Sequence, residues 1–154
     1  MSKIILVFTS MSGNTEMMAE AIADGVGEAG RKLDVIDIMD GGEAADLENY
    51  DGILLGTYTW ADGELPDEFL DFYEEMDNVN LTGKKAAAFG SCNSAFPQYG
   101  AAVDTLIEKL EDRGAQVFSE GLKIELTPDQ EDKELCRELG KSFVAFLNKY
   151  ISVA

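Results

Sequence analysis

Apolar runs and helical stripes alternate along the whole chain. The run Ile4–Phe8 predicts a buried strand, and Met17, Met18, Ala21, Ile22 and Val26 predict a helix closed by Gly30. Residues 33–38 alternate apolar and acidic, which suits an edge strand; residues 53–57 run without interruption, which suits a central one. Pro66 stands at the first turn of a helix carrying Phe69, Leu70, Tyr73 and Met76. Residues 86–89 form the next apolar run. Ala102, Val103, Leu106, Ile107 and Leu110 mark a helix stopped by Gly114, and a fifth strand spans 117–126. Leu135, Leu139, Phe143, Phe146 and Tyr150 recur at three- and four-residue spacings and predict a last helix.

Strands alternating with helices predict an α/β fold with a parallel sheet covered on both faces. In such sheets a ligand sits beyond the carboxyl ends of the strands, at the switch point in strand order. Three loops leave carboxyl ends there: residues 9–15, 57–65 and 90–99. The first, Ser10-Met11-Ser12-Gly13-Asn14-Thr15, follows a strand and opens a helix. Backbone N–H groups, hydroxyls and the helix dipole together make an anion site. From Ile4 to Met18 there is no Lys or Arg, so a phosphate held here is held by neutral donors. The same residues also suit an ordinary helix start, with Ser12 or Asn14 as cap and Glu16 in the first turn. The loop is neither a Walker loop nor a dinucleotide fingerprint, since both defining patterns are missing.

Composition narrows the function. The chain has 154 residues, which predicts one domain over 1–154. Twelve basic against 30 acidic side chains give a formal net charge of −18, and there is no histidine. Such a charge argues against nucleic acid and anionic membranes and favours a basic protein partner. The missing imidazole removes the commonest general base and metal ligand. Cys92 and Cys136 form no metal or redox motif and suggest a reduced, cytoplasmic setting. No apolar run approaches the ~20 residues of a membrane span. Residues 33–83 contain no Lys or Arg but many carboxylates, either a solvated face or a negative field beside a functional site.

Ser10-Met11-Ser12-Gly13-Asn14-Thr15-Glu16, Gly56-Thr57-Tyr58-Thr59-Trp60-Ala61-Asp62-Gly63 and Gly90-Ser91-Cys92-Asn93-Ser94-Ala95-Phe96 occur in order at three strand ends. By these motifs the chain resembles the short-chain bacterial flavodoxins of the Bacillus type over essentially its whole length. The resemblance implies a three-layer sandwich with a five-stranded parallel sheet of order 2-1-3-4-5, the arrangement for which flavodoxins are a standard example. It implies non-covalent FMN and no metal. Ser10, Ser12, Asn14 and Thr15, with the amides of Met11 and Gly13, would wrap the phosphate. Trp60 would lie on the inner face of the ring system and Phe96 on the outer face, where the family usually has Tyr. Backbone groups of Ser91, Cys92 and Asn93 would meet the pyrimidine edge, and Thr57 and Thr59 would reach ribityl or phosphate oxygens. Tyr58, Ala61, Asp62, Gly63 and Tyr99 would complete the surroundings.

The implied function is low-potential one-electron transfer rather than substrate turnover. An FMN-dependent NAD(P)H:quinone reductase on the same fold is the alternative; consumption of NAD(P)H by the holoprotein alone, with a quinone present, separates the two. The implied partners are a basic-faced flavodoxin/ferredoxin-NADP reductase and acceptors such as a ribonucleotide reductase activator, a desaturase or a P450-type haem enzyme. A monomer is expected. Two departures bear on the potentials. Ala61 stands where the family commonly has Gly, and a left-handed alanine costs roughly 1–2 kcal/mol. Asn93 stands where it often has Asp, which removes one carboxylate from the ring edge.

Overall fold

The computed structural model describes residues 3–59, 63–93, 100–118 and 120–153. Trp60, Ala61, Asp62, Phe96 and Tyr99, all expected at the site, lie outside the described residues.

Period-two burial organises the sheet. In β1 (Ile4–Phe8) every residue is buried, with Ile4, Leu6 and Phe8 on one face and Ile5 and Val7 on the other. β1 pairs in parallel with β2 (Leu33–Asp37) on one side and β3 (Gly52–Tyr58) on the other. Next comes β4 (Lys85–Cys92), then β5 (Gln116–Val117), which gives the order β2-β1-β3-β4-β5; β6 (Leu122–Glu125) also pairs with β4. Four helices cover the faces: α1 (Asn14–Glu28), α2 (Asp67–Glu75), α3 (Ala101–Asp112) and α4 (Gln130–Val153). Ile5, Val7, Ile53 and Leu55 pack on Phe69, Phe72, Val103 and Leu106 from α2 and α3. Ile4, Leu6, Phe8 and Phe89 pack on Met18, Ile22, Phe143 and Leu147 from α1 and α4. These are the three layers expected from the sequence.

The fifth strand departs from expectation. It arrives as two pieces, because four residues separate Val117 from Leu122 while two separate Ala86 from Phe89 on β4. Gly121, at φ 92°, precedes the resumed pairing. Two helical stripes hold except at one residue each: Phe69, Tyr73 and Met76, and Leu139, Phe143 and Phe146, lie in or against the core, while Leu70 and Leu135 do not. On α2 the buried residues are Phe69 and Phe72, and Leu70 is 37% exposed. On α4 Cys136, Leu139, Phe143, Val144 and Leu147 face the core, and Leu135 is 53% exposed. Met17 on α1 is only half-buried. β2 stops at Asp37, whose side chain caps a short 3-10 turn over Ile38–Asp40.

α1 and α4 touch backbone to backbone. A Cβ on Gly25 would lie 2.0 Å from Arg137 O, and one on Gly140 would lie 2.3 Å from Ile22 O. At the amino ends of the strands, basic side chains fasten the chain to itself. Lys84 Nζ donates to the carbonyls of Glu48 and Tyr50, and buried Lys85 Nζ to Phe146 O at 2.9 Å. No helix is long and apolar enough to cross a membrane among the described residues.

Candidate functional site

The carboxyl ends of β1, β3 and β4 bring the three loops to one rim. At the first loop β1 continues to Thr9, whose N–H donates to Gly56 O at 3.1 Å. The chain then turns into α1 through Gly13, at φ 91°, a left-handed residue with open space where a side chain would stand. Neither Ser12 nor Asn14 caps the helix, which corrects the sequence expectation. Ser10 does so from outside: its Oγ accepts from Gly13 N at 3.1 Å and Glu16 N at 3.3 Å. Helix geometry leaves the first-turn N–H groups without intrahelical acceptors, and Ser10 takes only part of that set. Among the described residues no hydrogen bond engages the Ser12 or Asn14 side chain. Met11 is 65% exposed. Thr15 is buried and its Oγ1 meets Ser91 Oγ at 2.8 Å, tying α1 to β4.

At the second loop, buried Thr57 donates from Oγ1 to Tyr58 O at 2.8 Å, and Thr59 N–H reaches across to Ser91 O at 3.3 Å. Thr59 Oγ1 is buried and has no hydrogen-bond partner among the described residues. The Cys92 thiol lies beside it and donates from Sγ to Gly90 O at 3.7 Å. Gly63 returns the chain at φ 95°. At the third loop Ser91 and Cys92 are buried and Asn93 is half-buried. Burial pushes the Cys92 thiol up to about 11, against the opposing pull of the Lys123 charge, so the group is a neutral pocket wall at ordinary pH.

The donor set is uncharged throughout: residues 9–15, 57–65 and 90–99 contain no Lys or Arg. Acidic groups lie alongside. A groove of about 230 Å³ is lined by Met11, Tyr58, Asp67 and Glu68. A larger cavity of about 400 Å³, lined by Lys3, Arg31, Lys32 and Tyr50 among others, opens at the opposite end of the sheet. Sequence reasoning missed Thr9 and Glu68 as members of the rim. Their link is long-range, Thr9 Oγ1 donating to Glu68 Oε1 at 3.1 Å, and no local pattern announces it.

A doubly wound sheet with uncharged donors at its switch point, and behind them a buried hydroxyl without a partner among the described residues, is the kind of rim at which such sheets bind a ligand. The flavodoxin family profile matches residues 6–140. Probable flavodoxin 2 of Bacillus subtilis (strain 168) is 43% identical over 143 residues, covering 93% of this chain and 95% of the relative. Probable flavodoxin 1 of the same organism is 42% identical over 153 residues, covering 97% and 96%. Oxidised flavodoxin 1 from Bacillus cereus superposes with a TM-score of 0.91 at 62% identity, covering 94% of this chain and 98% of that one. The chain belongs to the flavodoxin family. Flavodoxins are FMN-binding electron-transfer flavoproteins rather than enzymes with substrate turnover, and this chain is a flavin-binding electron carrier of the short-chain form.

Proposed function

We propose that this protein is a low-potential, one-electron carrier that holds FMN non-covalently at the rim described above. The observation that carries the reading is the set of uncharged donors at the start of α1, backed by the buried Thr59 hydroxyl, which has no hydrogen-bond partner among the described residues. When bound, FMN supplies the one-electron redox chemistry. Ser10, Ser12, Asn14 and Thr15 bind its phosphate with first-turn amides, adding no positive charge that would favour an anionic ring. Thr57 and Thr59 hold the polar chain between phosphate and ring. Backbone groups of Ser91, Cys92 and Asn93 orient the ring edge, while Tyr58, Trp60, Ala61, Asp62, Gly63, Phe96 and Tyr99 enclose it. Carboxylates at Asp67 and Glu68 oppose the build-up of negative charge. Each tenfold weakening of reduced relative to oxidised cofactor lowers a one-electron potential by about 59 mV.

The carboxylate-rich stretch 33–83 suits docking to a basic-faced reductase upstream and to acceptor redox enzymes downstream. A cytoplasmic monomer fits that role. The test is a titration of cofactor-free protein with FMN, followed by stepwise reduction under a visible spectrum. One-to-one uptake with quenched flavin fluorescence and two resolved one-electron steps is the expected result. Failure to take up FMN in excess overturns the reading.

A further inference from the structure

Glu68 lies in the first turn of α2, where the helix dipole favours a carboxylate. One of its oxygens is shared by hydroxyls from two different strands. Oε1 accepts from Thr9 Oγ1 at 3.1 Å and from the Tyr58 hydroxyl at 2.5 Å. Thr9 is the first residue after β1 and is fully buried; Tyr58 is the last residue of β3. These neighbouring strands flank the switch point, and their ladder closes with Phe8 opposite Gly56 and the Thr9 N–H bond to Gly56 O. Above that last rung, one carboxylate oxygen joins the two exits that lead into residues 9–15 and 57–65.

We propose that Glu68 is a positioning residue for the flavin site. Its Oε1 latches the phosphate loop to the loop that begins at Tyr58 and fixes the gap between them before the cofactor arrives. The inference rests on the reading that FMN occupies this rim. A ligand spanning both loops must otherwise order them on binding, and the latch removes that cost in advance. Position and charge separate cleanly at this residue. Glutamine keeps an acceptor oxygen of the same shape and loses the charge, whereas alanine loses both.

The experiment measures FMN dissociation constants from the recovery of flavin fluorescence on diluting holoprotein, with thermal midpoints of cofactor-free protein alongside. Glu68→Ala is expected to weaken FMN binding by about tenfold or more. Glu68→Gln restores it to within about threefold of wild type. Thr9→Val weakens binding alone but adds less than about twofold to Glu68→Ala, because its partner is already gone. Wild-type affinity in Glu68→Ala overturns the inference, as does Glu68→Gln binding as weakly as the alanine variant. If Glu68→Ala does not fold, Thr9→Val and Tyr58→Phe carry the test, and unchanged affinity in both overturns it. Wild-type protein that binds no FMN instead overturns the flavin reading, an outcome distinct from those above.

Discussion

The two ends of the sheet solve the same problem, unpaired backbone and polar groups at strand termini, by opposite means. At the amino end cations close the structure on itself. Lys84 Nζ reaches the Glu48 and Tyr50 carbonyls, Lys85 Nζ reaches Phe146 O, and Arg113 Nε reaches Val79 O at 3.1 Å. At the carboxyl end hydroxyls meet hydroxyls, amides and one carboxylate, and Thr59 Oγ1 has no partner among the described residues. A charged donor satisfies a carbonyl more strongly than a neutral one does. A neutral hydroxyl can exchange its partner for a ligand oxygen at small cost. The amino end is fastened, and the carboxyl end is held in readiness.

Glycine substitutions give the largest expected contrast. A Cβ at Gly90 would sit 2.1 Å from Thr57 O, forcing β3 and β4 apart beside the rim. Gly90→Ala should cost about 3 kcal/mol in urea unfolding and abolish FMN uptake. A Cβ at Gly52 meets only side-chain ends, Leu147 Cδ1 at 2.9 Å and Phe143 Cε2 at 3.0 Å. Gly52→Ala should cost ~1 kcal/mol and leave FMN affinity unchanged. Equal loss of affinity in both would erase the distinction between the ends. Next in size, Lys85→Met removes the donor to Phe146 O and the cation 3.9 Å above its ring. A loss of about 2 kcal/mol is expected, with an unaltered FMN dissociation constant. Ser10→Ala should show the converse: about 1 kcal/mol of stability lost with the helix cap, but ~10-fold weaker FMN binding. The smallest effect is ionic. Shortening the Debye length from ~30 to ~8 Å should raise the potential of the more reducing step by only about 20–40 mV. A potential indifferent to salt would assign the rim carboxylates no electrostatic part.

The covered parallel sheet was readable from the sequence because uninterrupted apolar runs and helical stripes record burial directly, whereas the strand order came only with the family resemblance. What escaped was set by contacts between distant residues. Leu70 and Phe72, like Leu135 and Cys136, stand on different sides of their helices, and the surface each helix packs on decides which side turns inward. The break in pairing between Val117 and Leu122 depends on what β4 accepts in register, which alternation along one strand does not encode. At the rim the motifs placed the loops, yet Ser10 rather than Ser12 or Asn14 caps α1 because Gly13 swings the turn through positive φ. Glu68 was visible only as one of many carboxylates; its meeting with Thr9 spans 59 residues of chain.

The near-contact of Gly25 with Arg137 and of Gly140 with Ile22 lets two helices lie against each other like the halves of a single beam. α1 starts at the cradle and α4 spans Gln130–Val153, so the accuracy of the cradle is borrowed from a segment far away in sequence. A methyl group at Gly25 or Gly140 would act as a wedge, tilting the beam and misaligning donors at its far tip.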